Sequence, residues 1–210
     1  MEALIAFASA LLALRLAGRL AGRARERNRR ELAAWSASLL AYAVASGALA
    51  WGAAAGWSEA AFRVYYLFGG LLTAPLLGVG SLLLAGRRWA LPVGLLYSGL
   101  ATGIALTAPL SMPVTGVTIP DAAAHLELFP ARVVAIAGNV LGTIAVVIVA
   151  IGTIRRRPVG NALILSGVAV AAGGSALFGL GVSQTAVSLA LAVVLLYGGF
   201  VARPRAAPKI

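Results

Sequence analysis

Seven apolar stretches follow one another along this chain, near Leu4–Ala21, Leu32–Ala55, Ala60–Ala85, Trp89–Leu110, Ala131–Ile154, Val159–Gly181 and Val182–Ala202. Each is close to the roughly 20 residues a helix needs to cross about 30 Å of hydrocarbon. Lipid offers no water to backbone amides and carbonyls, so such segments satisfy them internally, as helices. A barrel would alternate apolar and polar residues, and these stretches do not. The last two meet at a short turn, Gly181–Gln184, because together they run to roughly twice a span. The reading is an all-α, polytopic membrane protein. A single transmembrane domain over residues 1–210 forms a seven-helix bundle in the plasma membrane.

Charge sets the orientation. Arg15, Arg19, Arg23, Arg25, Arg27, Arg29 and Arg30 gather at the first connection, Arg87 and Arg88 at the third, and Arg155, Arg156 and Arg157 at the fifth; Arg203, Arg205 and Lys209 lie in the tail. That places 15 of 17 basic residues on one side. The positive-inside rule makes that side cytoplasmic, and an odd number of spans then puts the N-terminus outside and the C-terminus in the cytoplasm. The first stretch is not a cleaved signal, because Glu2 precedes it and its positive charges follow it. The net charge of +11 therefore has a topological reading, and no basic module for nucleic acid stands beside it. Absence of cysteine excludes disulfides, thiolate metal sites and cysteine nucleophiles.

The one long outer connection is Ser111–Pro130. Its Pro-, Gly- and Thr-rich half, Met112–Pro120, predicts extended chain. Asp121–Phe129 predicts a short surface helix with Asp121 in its first turn, where the helix dipole favours a carboxylate. Trp35 and Trp89 near the inner boundary, with Trp51 and Trp57 near the outer one, read as an interfacial belt.

Few polar residues interrupt the stretches. Arg63, Tyr66, Gly70 and Thr73 share one face of the third. Arg63 has Glu59 one turn before it as a partner. It either faces the bundle interior, as intramembrane charge does, or snorkels from about 5 Å below the helix start to the outer interface. Pro75 denies a donor to the carbonyl of Leu71, which predicts a kink or a compensating contact, with Thr73 near enough to help. Asn139 lies about 12 Å into the fifth helix and needs hydrogen-bond partners. Ser98 with Thr102, and Tyr42 with Ser46, are turn-spaced pairs for bonds between helices. Gly52/Gly56, Gly99/Gly103 and Gly138/Gly142 are spaced to let helices approach closely. His125 with Asp121 and Glu127 lacks metal-ligand spacing, so no metal is expected. No span carries a central carboxylate, and no catalytic motif appears, so no catalytic residue is assigned.

The third stretch resembles helix three of the microbial rhodopsins. Arg63, then Tyr66, Leu67 and Phe68, then Thr73, Ala74, Pro75, Leu76 and Leu77 follow that family's run of an arginine, an aromatic and Thr-x-Pro-Leu-Leu. Seven helices and an outside N-terminus agree. The resemblance covers about one helix in seven and implies a shared bundle shape. Its retinal lysine has no counterpart in Val182–Ala202, and the carboxylate counter-ion and proton donor are missing, so no covalent retinal is expected. A sugar-transporter-like arrangement would echo the first three helices in the last three, and no echo is found.

Three functions fit. The first, put ahead of the others by Arg63, Pro75 and Asn139, is a carrier that binds a small solute or lipophilic ligand through Arg63, Tyr66, Thr73, Asn139 and Glu59. The second is a non-catalytic structural or accessory subunit, docking by its small-residue faces on a second copy or a membrane-complex partner. The third is a receptor-like sensor reading the outer loop. Membrane lipid is a partner in each.

Overall fold

The computed structural model describes residues 2–176 and 182–202. No strand occurs among the described residues. The helices are α1 (Glu2–Arg27), α2 (Arg30–Ala55), α3 (Glu59–Leu84), α4 (Ala90–Thr107), α5 (Leu128–Gly152), α6 (Pro158–Ala176) and α7 (Val182–Val201). Five of them, α1 to α5, are long and apolar enough to cross a membrane. The expected turn at Gly181–Gln184 begins outside the described residues, and the basic tail Arg203, Arg205 and Lys209 lies outside them.

Local chemistry explains the helix ends. Gly56 at φ +88° stops α2, and Gly86 at φ +81° stops α3. Only a residue without Cβ enters that left-handed region cheaply, so both turns stay tight. Ser58 opens α3 by accepting the amide of Ala61 at 3.3 Å, and Glu59 follows in the first turn. Arg23, Arg25 and Arg27 continue α1 as helix rather than forming a loop, Arg29 lies in the turn and Arg30 begins α2. Asp121 caps a single helical turn, Ala122–His125, through its bond from the amide of Ala123 at 2.9 Å. The predicted surface helix is therefore shorter than Asp121–Phe129. Beyond it the chain extends, and Leu126 pairs with Leu110.

Helix α1 packs on α2 and α7, α3 on α2, α4 and α5, and α6 on α5 and α7. Two apolar clusters fill the bundle. One gathers Leu49, Trp57, Phe62, Tyr66, Leu71 and Ile104; the other gathers Leu20, Trp35, Leu39, Val146 and Phe200. Leu95, Leu96 and Leu100 of α4 and Leu141 and Ile148 of α5 stay exposed, as side chains facing lipid do.

Two belt tryptophans are corrected by this packing. Trp35 is 1% exposed and stacks on Phe200 with ring centroids 4.3 Å apart; Trp57 is 5% exposed. Each fills space left by a glycine: a Cβ on Gly80 would lie 2.2 Å from Trp35, and one on Gly52 would lie 2.4 Å from Trp57. Trp51 and Trp89, at 65% and 55% exposed, keep the expected surface position.

The glycine pairs separate likewise. Gly142 lies against the backbone of Ala74 and Pro75, and Gly138 against Tyr97 and Pro75. Gly52 receives Trp57 and Gly56 ends its helix, so that pair joins no two helices. Gly99 and Gly103 are exposed, with no atom within 4 Å of a Cβ placed on either.

Candidate functional site

The predicted residues fall into two groups on α3, with Tyr66 between them. Arg63 and Thr73 are ten residues apart, about 15 Å along a helix.

The group at the start of α3 is a clamp. Nε of Arg63 donates to Oε1 of Glu59 at 2.9 Å, and Nη2 lies 2.8 Å from the same oxygen. Nη1 donates to the carbonyl of Ala105 at 2.7 Å, and Nη2 to that of Ala108 at 2.9 Å. Those carbonyls end α4, where backbone acceptors lack helical partners and the dipole favours a cation. The side chain is 20% exposed, and its acid partner is Glu59 rather than Asp121 or Glu127. Arg63 thereby ties the start of α3 to the end of α4.

The deeper group surrounds a break in the helical ladder. Residues Tyr66–Leu72 form a π-helical segment, and Pro75 follows within the next turn. Side chains then serve four carbonyls of this stretch. Thr73 Oγ1 donates to Phe68 at 2.7 Å, Asn139 Nδ2 to Gly70 at 2.7 Å, the Tyr97 hydroxyl to Leu71 at 3.0 Å, and Ser38 Oγ to Thr73 at 2.7 Å. Leu71 is the acceptor that Pro75 cannot serve, and Tyr97 of α4 supplies the missing donor. Thr73 serves a different carbonyl from the one its position suggested. Asn139 spends its second hydrogen on Ala135, at 2.9 Å. Donors from α2, α4 and α5 thus converge on one stretch of α3.

Tyr66 stands apart. It is 7% exposed, its ring stacks on Phe62, and its buried hydroxyl has no hydrogen-bond partner.

Sequence reasoning missed Ser38 and Tyr97, which carry no local signal: each is distant in sequence from the carbonyl it serves. It also missed Arg157, read only for topology. Nη2 of Arg157 donates to the carbonyl of Gly199 at 2.9 Å, with those of Phe200 and Ala202 at 3.3 and 3.2 Å, and so caps α7 as Arg63 caps α4. Burial, then the charge of Arg29, lower its pKa. Asn161, 1% exposed, donates to Thr153 at 2.8 Å. Ser98 and Thr102 bond within their own helix, to Gly94 and Ser98, both at 2.8 Å, and link no helices. His125 approaches the carbonyl of Asp121 and packs on Phe62. No metal-holding group of His, Asp and Glu occurs among the described residues.

No family model, no curated protein and no solved structure matches this chain.

Proposed function

We propose that this chain is a seven-span protein of the plasma membrane, N-terminus outside and C-terminus in the cytoplasm, serving as a non-catalytic accessory subunit. One observation carries the reading: apart from the Tyr66 hydroxyl, the side chains offered as donors to a solute already donate within the protein. Arg63 holds Glu59 and two carbonyls of α4, Thr73 serves Phe68, and Asn139 serves Gly70 and Ala135. A solute would have to outbid bonds whose loss strands buried carbonyls. Resemblance to the rhodopsin third helix enters only as bundle shape. Purification in a mild non-ionic detergent should retain a stoichiometric membrane partner or a second copy. A monomer carrying a solute in its core would overturn the reading.

The carrier reading keeps one specific support, the Tyr66 hydroxyl, which is buried without a partner. On that reading Tyr66→Phe abolishes solute binding and leaves the fold intact.

A further inference from the structure

We propose that the basic end of the bundle holds a phosphate-bearing anion in a crevice between two helical hairpins, and that its source is the headgroup of an acidic phospholipid. The crevice measures about 470 Å³ and is lined by Asn28, Arg30, Glu31, Leu83, Gly86 and Arg88. That volume lies in the range of ligand sites. The first three residues come from the α1–α2 turn and the start of α2, the others from the end of α3 and the α3–α4 turn. Two connections about 60 residues apart therefore face each other across one gap.

Charge in the gap is one-sided. The one acid that lines it among the described residues, Glu31, forms an ion pair with Arg29. Among the described residues no ion pair or hydrogen bond engages the side chain of Arg30 or Arg88, and both are exposed. Two guanidinium forks remain, and a phosphate diester has the oxygens to accept both. The walls are fixed by tight turns: Asn28 sits at φ 48° in one hairpin and Gly86 at φ 81° in the other. The adjoining backbone amides of Gly86 and Arg87 are bonded to Leu83 and Leu82, so the guanidiniums and the Asn28 amide are the donors on offer.

Depth favours a lipid over a free ion. Trp89 follows Arg88 and is 55% exposed, the placement of a tryptophan at headgroup level. Leu83 adds an apolar wall beside the arginines, suited to the glycerol end of a lipid rather than to a hydrated ion. Basic pockets between helices on the inner side take such headgroups. The choice of lipid depends on the membrane-spanning reading; the anion site itself does not.

The test compares two double variants of equal charge change in the full-length protein. Arg30→Gln with Arg88→Gln empties the crevice of charge. Arg155→Gln with Arg156→Gln removes two exposed arginines that do not line it. Phosphatidylglycerol is titrated into detergent micelles of each protein and bound lipid is counted by native mass spectrometry, with phosphatidylcholine as the zwitterionic reference. The crevice variant should bind phosphatidylglycerol about 30-fold more weakly than wild type. The Arg155/Arg156 variant should stay within about threefold, and phosphatidylcholine should not saturate. Inorganic phosphate at millimolar concentration should neither saturate the site nor displace the lipid. Saturable phosphate binding lost in the crevice variant would keep the anion site and overturn the lipid as its source. Equal losses in both double variants, or none in either, would overturn the site. Circular dichroism checks that the variants fold, and Arg30→Lys with Arg88→Lys, which keeps charge but loses the fork, should fall between wild type and the Gln variant. Failure of the membrane reading would show separately, as a wrong pattern of surface labelling.

Discussion

Gly142→Ala and Gly99→Ala make the same chemical change at two glycines that the sequence presents alike. A Cβ on Gly142 would lie 2.5 Å from the oxygen and 2.7 Å from the carbon of the Ala74 carbonyl, and 2.9 Å from the nitrogen of Pro75. All three are backbone atoms and cannot rotate away. Ordinary contact begins at 3.4 Å, so α3 and α5 must part by about 0.9 Å. That movement stretches the bond from Asn139 to Gly70 from 2.7 Å to about 3.6 Å, where it ceases to be one. Overpacking costs about 1–3 kcal/mol, and a hydrogen bond inside a membrane about 0.6–1.7 kcal/mol. Alanine's better helix propensity returns about 0.5–1 kcal/mol, so the net loss is about 0.6–4 kcal/mol. At Gly99 a Cβ meets nothing within 4 Å, and only the propensity gain remains. Unfolding by sodium dodecyl sulfate in mixed micelles, followed by circular dichroism, should move the midpoint down for Gly142→Ala and leave it unchanged or raised for Gly99→Ala. Equal behaviour of the two variants would refute the packing argument.

Arg63→Gln should destabilise the protein by about 1–2 kcal/mol in the same assay, with Arg63→Lys between it and wild type, because charged donors to the α4 carbonyls are lost. Val117→Cys, at a position 61% exposed in the outer connection, should react with an impermeant maleimide on intact cells; labelling only after permeabilisation would invert the topology. Incubation of the protein with retinal followed by borohydride should leave no adduct, because Val182–Ala202 has no lysine; a stable adduct would contradict the reading.

The helices were legible because apolar length is a one-dimensional property, and lipid makes it decisive. Pro75 also pointed to its own carbonyl, Leu71, since the ring removes a known donor. The identity of the replacement was not legible, because Tyr97 reaches Leu71 only through the crossing of α3 and α4. Spacing failed most at the glycines. Gly99/Gly103 and Gly138/Gly142 have one pattern, yet only the second faces another helix. Rotation of a helix about its axis is set by neighbours, and apolar residues surround these helices on nearly every side. Trp35 was misplaced for the same reason: nearness to a membrane boundary says nothing of which face it occupies.

A polar residue inside a span invites a reading as a binding group, because burying it without compensation is expensive. At the π-helical segment of α3 the polar side chains are themselves the compensation, supplied to a backbone whose regular ladder is interrupted. This reversal has a quantitative consequence. If Tyr97 exists to serve the carbonyl that Pro75 orphans, its hydroxyl should matter less once the proline is gone. Tyr97→Phe alone strands Leu71 and should cost about 1 kcal/mol or more. Pro75→Ala restores an amide one turn below Leu71, and in that background the loss of the hydroxyl should be nearly neutral. The double-mutant cycle should therefore show a coupling of about 1 kcal/mol. Additivity within about 0.3 kcal/mol would mean that Tyr97 serves something other than the break, such as the Val134 carbonyl 3.3 Å from its hydroxyl. A solute contacted by Tyr97 would then regain ground as the explanation for the cluster.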